Sequence, residues 1–260
     1  MKRDRYLQEA SDLSYFEIQA AIGTTKHMGG LETTKELATL CHIGKDTAVL
    51  DVGCGAGATA CYLARTTGCR VVGVDLREPM VALSDERAGK LGVRDLVEFR
   101  VADAQALPFD DATFDVILCE SVATFIEDKK RVIDEYARVV RPGGYVGLNE
   151  EIWIETPTAE MVEYKRTWDI APDILDVEDW RALLEGAGFR DVVARVYRVE
   201  TRREASQVKR YTAGDMFRMF SRTLVLYIKN PALRKYMRER KRMPKGLFKR
   251  LGYVVLVGRK

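Results

Sequence analysis

Residues 51–57 read Asp-Val-Gly-Cys-Gly-Ala-Gly, a glycine-rich loop that indicates the fold class when read with its flanking segments. It follows the short apolar run Ala48–Val52 and precedes a helical pattern that begins at Ala58. Glycines at these positions let the backbone turn tightly and approach a ligand closely. A plain tight turn would use the same glycines, so the loop must be judged by its surroundings.

Apolar runs and helical patterns alternate on both sides of the loop. Strands are predicted at Ala48–Val52, Arg70–Asp75, Val97–Val101, Phe114–Cys119, Tyr145–Asn149, Val192–Val199 and Gly252–Gly258. Repeated strand–helix units of this length favour a parallel sheet covered by helices. The predicted fold is therefore α/β, with a Rossmann-like, mostly parallel seven-stranded sheet and helices on both faces.

Three segments organise the chain. Residues 1–45 form an N-terminal helical cap, residues 46–202 and 249–260 form the core, and residues 203–248 form a helical insertion before the last strand. About sixteen Lys and Arg residues against about three acids lie between Arg202 and Arg250, with apolar residues interleaved. This pattern predicts amphipathic helices with a basic face. A solvated surface, attraction of an anionic substrate and contact with an anionic membrane surface all fit it.

Composition narrows the class of protein. Hydrophobic residues make up 47%, enough for a sizeable core, and the net charge of +3 does not by itself indicate nucleic acid. The five cysteines include no Cys-x-x-Cys pair and no Cys/His cluster, which predicts reduced thiols and no metal site. The first residues contain no apolar run typical of a signal peptide or membrane span, so a cytoplasmic location is expected.

An acidic residue supports a nucleotide site. Asp75 ends the second strand, 18 residues after Gly57, where its carboxylate can accept hydrogen bonds from ribose hydroxyls. A nicotinamide dinucleotide would satisfy the loop and this residue. However, the loop reads GxGxG rather than GxGxxG, and Asp51 precedes it. A carboxylate there would repel a pyrophosphate but suits the ammonium group of an amino acid moiety.

These motifs resemble those of the class I S-adenosylmethionine-dependent methyltransferases. The similarity lies in residues 51–57, Val74-Asp75, 102–109, 114–117 and 141–144, which keep the family's order over about residues 45–150. The most similar subgroup contains small-molecule enzymes, among them ubiquinone/menaquinone C-methyltransferases and phosphoethanolamine or sarcosine N-methyltransferases. The His27-Met28-Gly29-Gly30 segment resembles a glycine pair that some of these enzymes place beside the cofactor.

The resemblance implies S-adenosyl-L-methionine as the cofactor and assigns it a set of residues. Asp51 would face the amino acid end, the loop glycines would form a floor, and Asp75 would hold the ribose diol. The implied cofactor-binding residues are Asp51, Gly53, Gly55, Gly57, Asp75, Leu76, Met80, Asp103, Ala104, Glu120 and Gly30.

Methyl transfer requires a positioned and deprotonated acceptor, because the cofactor carries the reactive group. Glu120, Glu150 and His27 are the candidate catalytic residues, although solvated strand ends and a structural histidine fit the same positions. Residues that could line the acceptor pocket, or pack in the core or the cap, are Tyr6, Tyr15, Glu151, Trp153, Phe217 and Phe220.

The acceptor is predicted to be a small molecule. Residues 119–122, after the fourth strand, read Cys-Glu-Ser-Val, unlike the Asn/Asp-Pro-Pro-aromatic motif of nucleic-acid amino-methyltransferases. A nucleic-acid methyltransferase is therefore disfavoured. It stays an alternative, as does a catalytically silent S-adenosylmethionine-binding protein. The cap and the insertion are expected to close over the acceptor from opposite sides. The oligomeric state is left open.

Overall fold

The apolar runs form one seven-stranded sheet in the computed structural model, which describes residues 15–166, 174–240 and 242–260. The strands are β1 Ala48–Val52, β2 Arg70–Asp75, β3 Val97–Val101, β4 Phe114–Glu120, β5 Val140–Trp153, β6 Arg190–Arg198 and β7 Leu251–Arg259. Their order is β3-β2-β1-β4-β5-β7-β6. The first five strands run parallel, and β7 is antiparallel to both β5 and β6. The mostly parallel α/β fold is confirmed.

Helices connect the strands and extend both ends of the fold. They are α1 Tyr15–Ile22, α2 Gly30–Leu40, α3 Ala58–Thr67, α4 Glu78–Leu91, α5 Lys129–Val139, α6 Ala159–Arg166, α7 Val177–Gly186, α8 Thr201–Ala205, α9 Ala213–Lys229, α10 Pro231–Arg240 and α11 Leu247–Arg250. Short 3₁₀ helices occupy Ala123–Phe125 and Ser206–Arg210. The basic insertion is thus several helices rather than one continuous stretch. Among the described helices, none has the length and hydropathy needed to cross a membrane.

Local sequence fixes several helix ends. Asp176 accepts a hydrogen bond from the Asp179 backbone, and the Asp179 side chain accepts one in return, forming a capping box at α7. Thr212 and Asp215 make the same arrangement at α9. Pro79 lies in the first turn of α4, where its missing N–H costs no helical hydrogen bond.

The central strands of the sheet are buried on both faces. Neighbouring residues of one strand point to opposite sides, so Val49 packs with α2 and α3 while Leu50 packs with α5 and α7. Burial on both sides explains why the strands read as continuous apolar runs. The five cysteines are buried free thiols.

The N-terminal helices and the insertion contact each other. Ile18 of α1 packs with Leu226 of α9 and Leu233 of α10. The Tyr211 hydroxyl donates a hydrogen bond of 3.0 Å to the Thr25 carbonyl oxygen. The expectation that the two segments approach from opposite sides is therefore corrected, since they form a joint cover. This mutual packing buries part of the apolar surface of each segment.

Candidate functional site

A cleft lies at the carboxyl ends of β1, β2 and β4, which is where open α/β sheets bind ligands. The strand order reverses between β1 and β4, so the loops after these strands diverge and leave a crevice. Residues 25–27 and Arg210 contribute the cap side of the cleft.

The first two loop glycines have no room for a side chain. Gly53 and Gly55 have φ of +70° and +55°, a region that L-residues with side chains rarely adopt. A Cβ atom on Gly53 would lie 2.3 Å from Val122 Cγ2, and one on Gly55 would lie 2.1 Å from Thr25 Cγ2. Both glycines line the cleft. Their predicted place in the floor therefore agrees with the geometry.

Gly57 and Gly30 are not among the residues that line the cleft, and their contact with the cofactor stays a prediction. Gly57 begins α3 with φ +69°, and a Cβ there would lie 2.9 Å from Ser84 Cβ. A Cβ on Gly30 would lie 2.7 Å from the Arg203 carbonyl oxygen. Both positions need glycine for close packing, of α3 against α4 and of α2 against the insertion.

Asp51 forms one end of the cleft. Its side chain is buried, and one carboxylate oxygen, Oδ2, has no hydrogen-bond partner. Burial raises the pKa of Asp51 to about 8, and the nearby Glu120 adds to this effect. A buried acceptor without a partner is costly unless a ligand supplies a donor or a positive charge. The site therefore suits a cationic ligand group.

Asp75 lies on the nucleoside side of the cleft. Its Oδ2 accepts a 2.9 Å hydrogen bond from the Gly55 amide, and its Oδ1 accepts a 3.0 Å bond from the Arg77 amide. Each oxygen keeps a further lone pair, so two neighbouring hydroxyls could be bound. Burial raises the pKa of this carboxyl.

The remaining predicted nucleoside residues also line the cleft. Met80 and Ala104 are buried there, whereas Leu76 is exposed at the rim. The Asp103 carboxylate lines the cleft and also accepts a 2.9 Å hydrogen bond from the Gln105 amide. An apolar slot with one carboxylate at its edge can hold a flat heterocycle with an amino group.

Glu120 ends β4 and points into a buried polar cluster. Its carboxylate accepts hydrogen bonds from Thr34 Oγ1 at 2.9 Å and Thr59 Oγ1 at 2.7 Å. His27 Nε2 lies 3.5 Å away. Glu120 and His27 both line the cleft, so the structure brings these two catalytic candidates together.

His27 is a buried, neutral imidazole held by its neighbours. Arg210 Nη1 donates to its Nε2 at 2.7 Å, and its Nδ1 lies 3.1 Å from the Met28 carbonyl oxygen. Burial is the main cause that lowers the pKa of His27 to about 4. Arg210 adds to the lowering, and Glu120 opposes it. The Nε2 lone pair is occupied by Arg210, so His27 can act as a base only if Arg210 moves.

We expect His27 to stay neutral throughout the neutral pH range. Its resonances in a ¹H–¹⁵N NMR titration should move near pH 4, and at pH 7 they should show the Nδ1–H tautomer, because Nδ1 faces an acceptor. His42 is the other histidine of the chain, so His42→Asn assigns the signals. A His27 midpoint at or above 6 would contradict this arrangement.

Glu150 lies outside the cleft, which corrects its assignment as a base. It is fully buried, and its carboxylate accepts hydrogen bonds from the amides of Val122, Ala123 and Thr124 at 3.3, 3.1 and 3.0 Å. Burial raises the pKa of Glu150 to about 7. Glu150 lies away from the cleft because successive residues of β5 point to opposite faces. Its three hydrogen bonds hold the 3₁₀ helix that follows β4.

Of the predicted acceptor residues, four do not line the cleft: Glu151, Trp153, Phe217 and Phe220. Glu151 forms a 2.5 Å ion pair with Lys165, and Trp153 ends β5. Phe217 and Phe220 are exposed on α9, at 72% and 68%. Tyr15 begins α1, but its side chain, like Tyr6, lies outside the described residues.

Two residues of the site, Arg210 and Asn149, were not predicted from the sequence. Arg210 lines the cleft, and its Nε is buried without a hydrogen-bond partner. Asn149 is buried and donates from Nδ2 to the Met28 carbonyl oxygen at 2.7 Å. Ser121 adopts φ +59°, an uncommon conformation for a residue other than glycine, and accepts from the Met28 amide. No local pattern marks these residues. Arg210 is one basic residue among many in the insertion.

The part of the chain described by the structure contains no cluster of His, Cys, Asp and Glu able to hold a metal ion. The cleft collects four carboxylates, of Asp51, Asp75, Asp103 and Glu120, and the positive charges of Lys26, Arg77 and Arg210. Such a site can bind a polar ligand through ionic interactions and hydrogen bonds.

Comparison with known proteins identifies residues 50–148 as a match to the family model described as a methyltransferase domain. Phosphoethanolamine N-methyltransferase 1 of Arabidopsis thaliana is 37% identical over 167 residues, 64% of this chain and 33% of that protein. An uncharacterized protein of Haemophilus influenzae is 30% identical over 66% of this chain and 70% of its own length. The chain spans about a third of the length of the plant relative.

A solved structure shares the fold over nearly its whole length. It is a SAM-dependent methyltransferase from Geobacter sulfurreducens in complex with S-adenosyl-L-homocysteine, with a TM-score of 0.70 and 24% identity. The match covers 96% of this chain and 99% of that one. It includes the cap and the insertion as well as the sheet.

Proposed function

Because the chain belongs to the methyltransferase-domain family, we propose that it transfers a methyl group from S-adenosylmethionine to a small-molecule acceptor. The observation that carries this proposal is the unpartnered, buried oxygen of Asp51 at one end of the cleft. The nucleoside side, with Asp75 and Ala104, lies in the same cleft. A ligand with an ammonium group and a nucleoside fits both parts.

The residues that line the cleft carry the charges and acceptors that this cofactor requires. Asp51 would hold the ammonium group, and the backbone at Gly53 and Gly55 would allow close approach. Asp75 would accept from the ribose hydroxyls, and Met80 would lie against the adenine. When bound, the cofactor supplies an electrophilic methyl group. The chain positions the acceptor and excludes water with residues 25–27 and Arg210.

For the acceptor, we propose a small molecule that carries an anionic group. Arg210 supports this, because its buried Nε lacks a hydrogen-bond partner and its side chain lines the cleft. Lys26 and Arg77 add positive charge to the same walls. The name of the plant relative, which denotes a phosphorylated amine, agrees with an acceptor of this kind.

Glu120 stays our candidate for the residue that receives a proton or holds a cationic acceptor. Glu120 and His27 are the two catalytic candidates that line the described cleft. The nearest charged or titratable neighbour of Glu120 is His27, whose Nε2 lies 3.5 Å from its carboxylate. Its two threonine partners fix the carboxylate in place. His27 stays a weaker candidate, since Arg210 occupies its Nε2.

Calorimetry tests cofactor binding. We expect binding of S-adenosylmethionine and S-adenosylhomocysteine, and Asp75→Ala should weaken it by about 10- to 150-fold, because charge-assisted hydrogen bonds contribute about 1.5–3 kcal/mol. Asp95→Ala, at an exposed carboxylate away from the cleft, serves as the matched control. Binding of a nicotinamide dinucleotide without binding of S-adenosylmethionine would refute the proposal.

Transfer itself needs a separate experiment. The protein with a radiolabelled methyl donor should label a small-molecule fraction among amine, lipid, quinone and RNA extracts. Label confined to RNA would favour a nucleic-acid methyltransferase. Cofactor binding with no label in any fraction would favour a catalytically silent protein that keeps the fold.

We also propose a cytoplasmic location. The five buried free thiols support it, because thiols persist in reducing compartments.

A further inference from the structure

Helix α9 turns its apolar side away from the protein. The exposed apolar residues of this helix are Met216, Phe217, Phe220, Leu224, Val225, Tyr227 and Ile228, with exposed fractions between 42% and 72%. Phe217, Phe220, Leu224 and Ile228 follow spacings of three and four, so they lie along one helix face. We call these seven residues the α9 face.

The packed side of α9 is smaller and more polar. Leu226 is the buried residue of this helix, packed with Ile18 and Leu233. Arg218 pairs with Asp215 on the helix itself. An ordinary surface helix buries its larger apolar face, whereas this one leaves that face in contact with solvent.

Positive charge is concentrated in the segment that contains the α9 face. Residues 202–250 contain 16 Lys and Arg against 3 Asp and Glu, whereas the rest of the chain contains 26 basic and 36 acidic residues. Lys229 is exposed directly after the face, and Arg234 donates hydrogen bonds to the carbonyl oxygens of Tyr227 and Ile228 at its end. The molecule therefore carries its excess positive charge beside its exposed apolar helix.

We propose that the α9 face binds the surface of an anionic lipid bilayer. An interfacial helix inserts apolar side chains at the level of the acyl boundary while basic side chains contact the anionic head groups. Helix α9 supplies the apolar side chains, and Lys229 and the residues that follow the helix supply the basic ones. The proposal does not depend on methyl transfer.

Other partners fit less well. RNA would use the basic residues but would leave seven apolar side chains in water. A second copy of the chain, related by a two-fold axis, would bring two strongly basic segments together, and like charges across an interface disfavour association. An anionic bilayer alone uses the apolar residues and the basic residues at once.

One helix, α1, connects the α9 face with the cleft. Helix α1 packs on α9 through Ile18 and also lines the cleft through Phe16 and Gln19. A bilayer bound to α9 would therefore lie one helix away from the cleft. Binding of a bilayer to α9 could therefore change the position of α1, which lines the cleft.

Vesicle co-sedimentation of the purified chain tests the proposal. We expect binding to vesicles of phosphatidylcholine and phosphatidylserine, at least tenfold weaker binding to phosphatidylcholine alone, and a marked decrease as salt rises from about 0.05 to 0.5 M. Phe217→Ser combined with Phe220→Ser should reduce binding at least tenfold. Lys229→Glu combined with Arg238→Glu should reduce it severalfold.

The control variant is Val193→Ser combined with Val196→Ser, on β6. These valines are exposed to 43% and 50%, so apolar surface is removed from another element, and vesicle binding should not change. Unchanged affinity for S-adenosylmethionine, or an unchanged circular dichroism spectrum if that ligand does not bind, shows that the α9 variants are folded.

Three outcomes would overturn the proposal. One is equal binding to neutral and anionic vesicles, or none to either. Another is concentration-dependent self-association that the phenylalanine variant abolishes, since the α9 face would then be an interface between copies. The third is binding of a single-stranded RNA oligonucleotide by a protein that ignores anionic vesicles.

Discussion

Replacement of Asp51 by asparagine is expected to lower the affinity for S-adenosylmethionine by about 10- to 150-fold, the effect of losing a charge-assisted contact of about 1.5–3 kcal/mol. The carboxylate is buried and one oxygen lacks a partner, so no solvent or protein group compensates for the lost attraction to an ammonium group. Isothermal titration calorimetry measures the change directly.

The same residue predicts a pH dependence of binding. The pKa of Asp51 is raised to about 8, so the carboxyl is mostly protonated in the free protein below that pH. Binding of an ammonium group needs the carboxylate, and the proton must therefore be released. The affinity of the wild-type protein should fall as pH drops from 8 to 6, by up to about tenfold per unit, whereas that of Asp51→Asn should change little.

Glu127→Gln, at an exposed acid outside the cleft, provides the control for both measurements. If Asp51→Asn bound the cofactor as tightly as the wild type at pH 8, Asp51 would not contact the ammonium group. A wild-type affinity independent of pH between 6 and 8 would show that the carboxyl is already ionised in the free protein.

Replacement of Glu150 by alanine is expected to destabilise the fold by about 3 kcal/mol or more, because three buried amides lose their acceptor at about 1–3 kcal/mol each. For a protein of this size the melting temperature should fall by about 6 °C or more. The 3₁₀ helix Ala123–Phe125 should loosen as well, and it contributes Phe125 to the cleft.

Glu150→Gln should lose less stability than Glu150→Ala, because its amide oxygen can still accept from two of the three donors. Glu127→Ala changes an exposed glutamate and should have little effect. Equal melting temperatures for Glu150→Ala and the wild type would show that the turn does not depend on this carboxylate.

The loss of stability caused by Glu150→Ala should also depend on pH. In the folded state its pKa is raised to about 7, above the value of 4.5 for a free side chain, so between these pH values the folded state holds a proton that the unfolded state has lost. This contribution to stability is present below about pH 4.5 and is lost as pH rises through 7. The alanine variant should therefore be more destabilised at pH 5 than at pH 8. Urea unfolding at both values measures the difference.

The sheet and the cofactor end of the cleft could be predicted from the amino-acid sequence. Strand boundaries at β1, β2 and β3 are confirmed. β1 is a continuous apolar run up to Asp51 because it is buried in the middle of the parallel sheet. The glycine loop and Asp75 could be found from local spacing, since a strand, a turn and the next strand fix where both residues lie.

The residues on the acceptor side of the cleft could not be predicted from the sequence, because their roles depend on tertiary packing. Adjacent residues of β5 point to opposite faces, so Asn149 reaches the cap while Glu150 holds a buried turn, and sequence position does not separate such roles. Arg210 reaches His27 across 183 residues of chain. Contacts of that separation depend on how the cap and the insertion pack together, and no local pattern of residues encodes that packing.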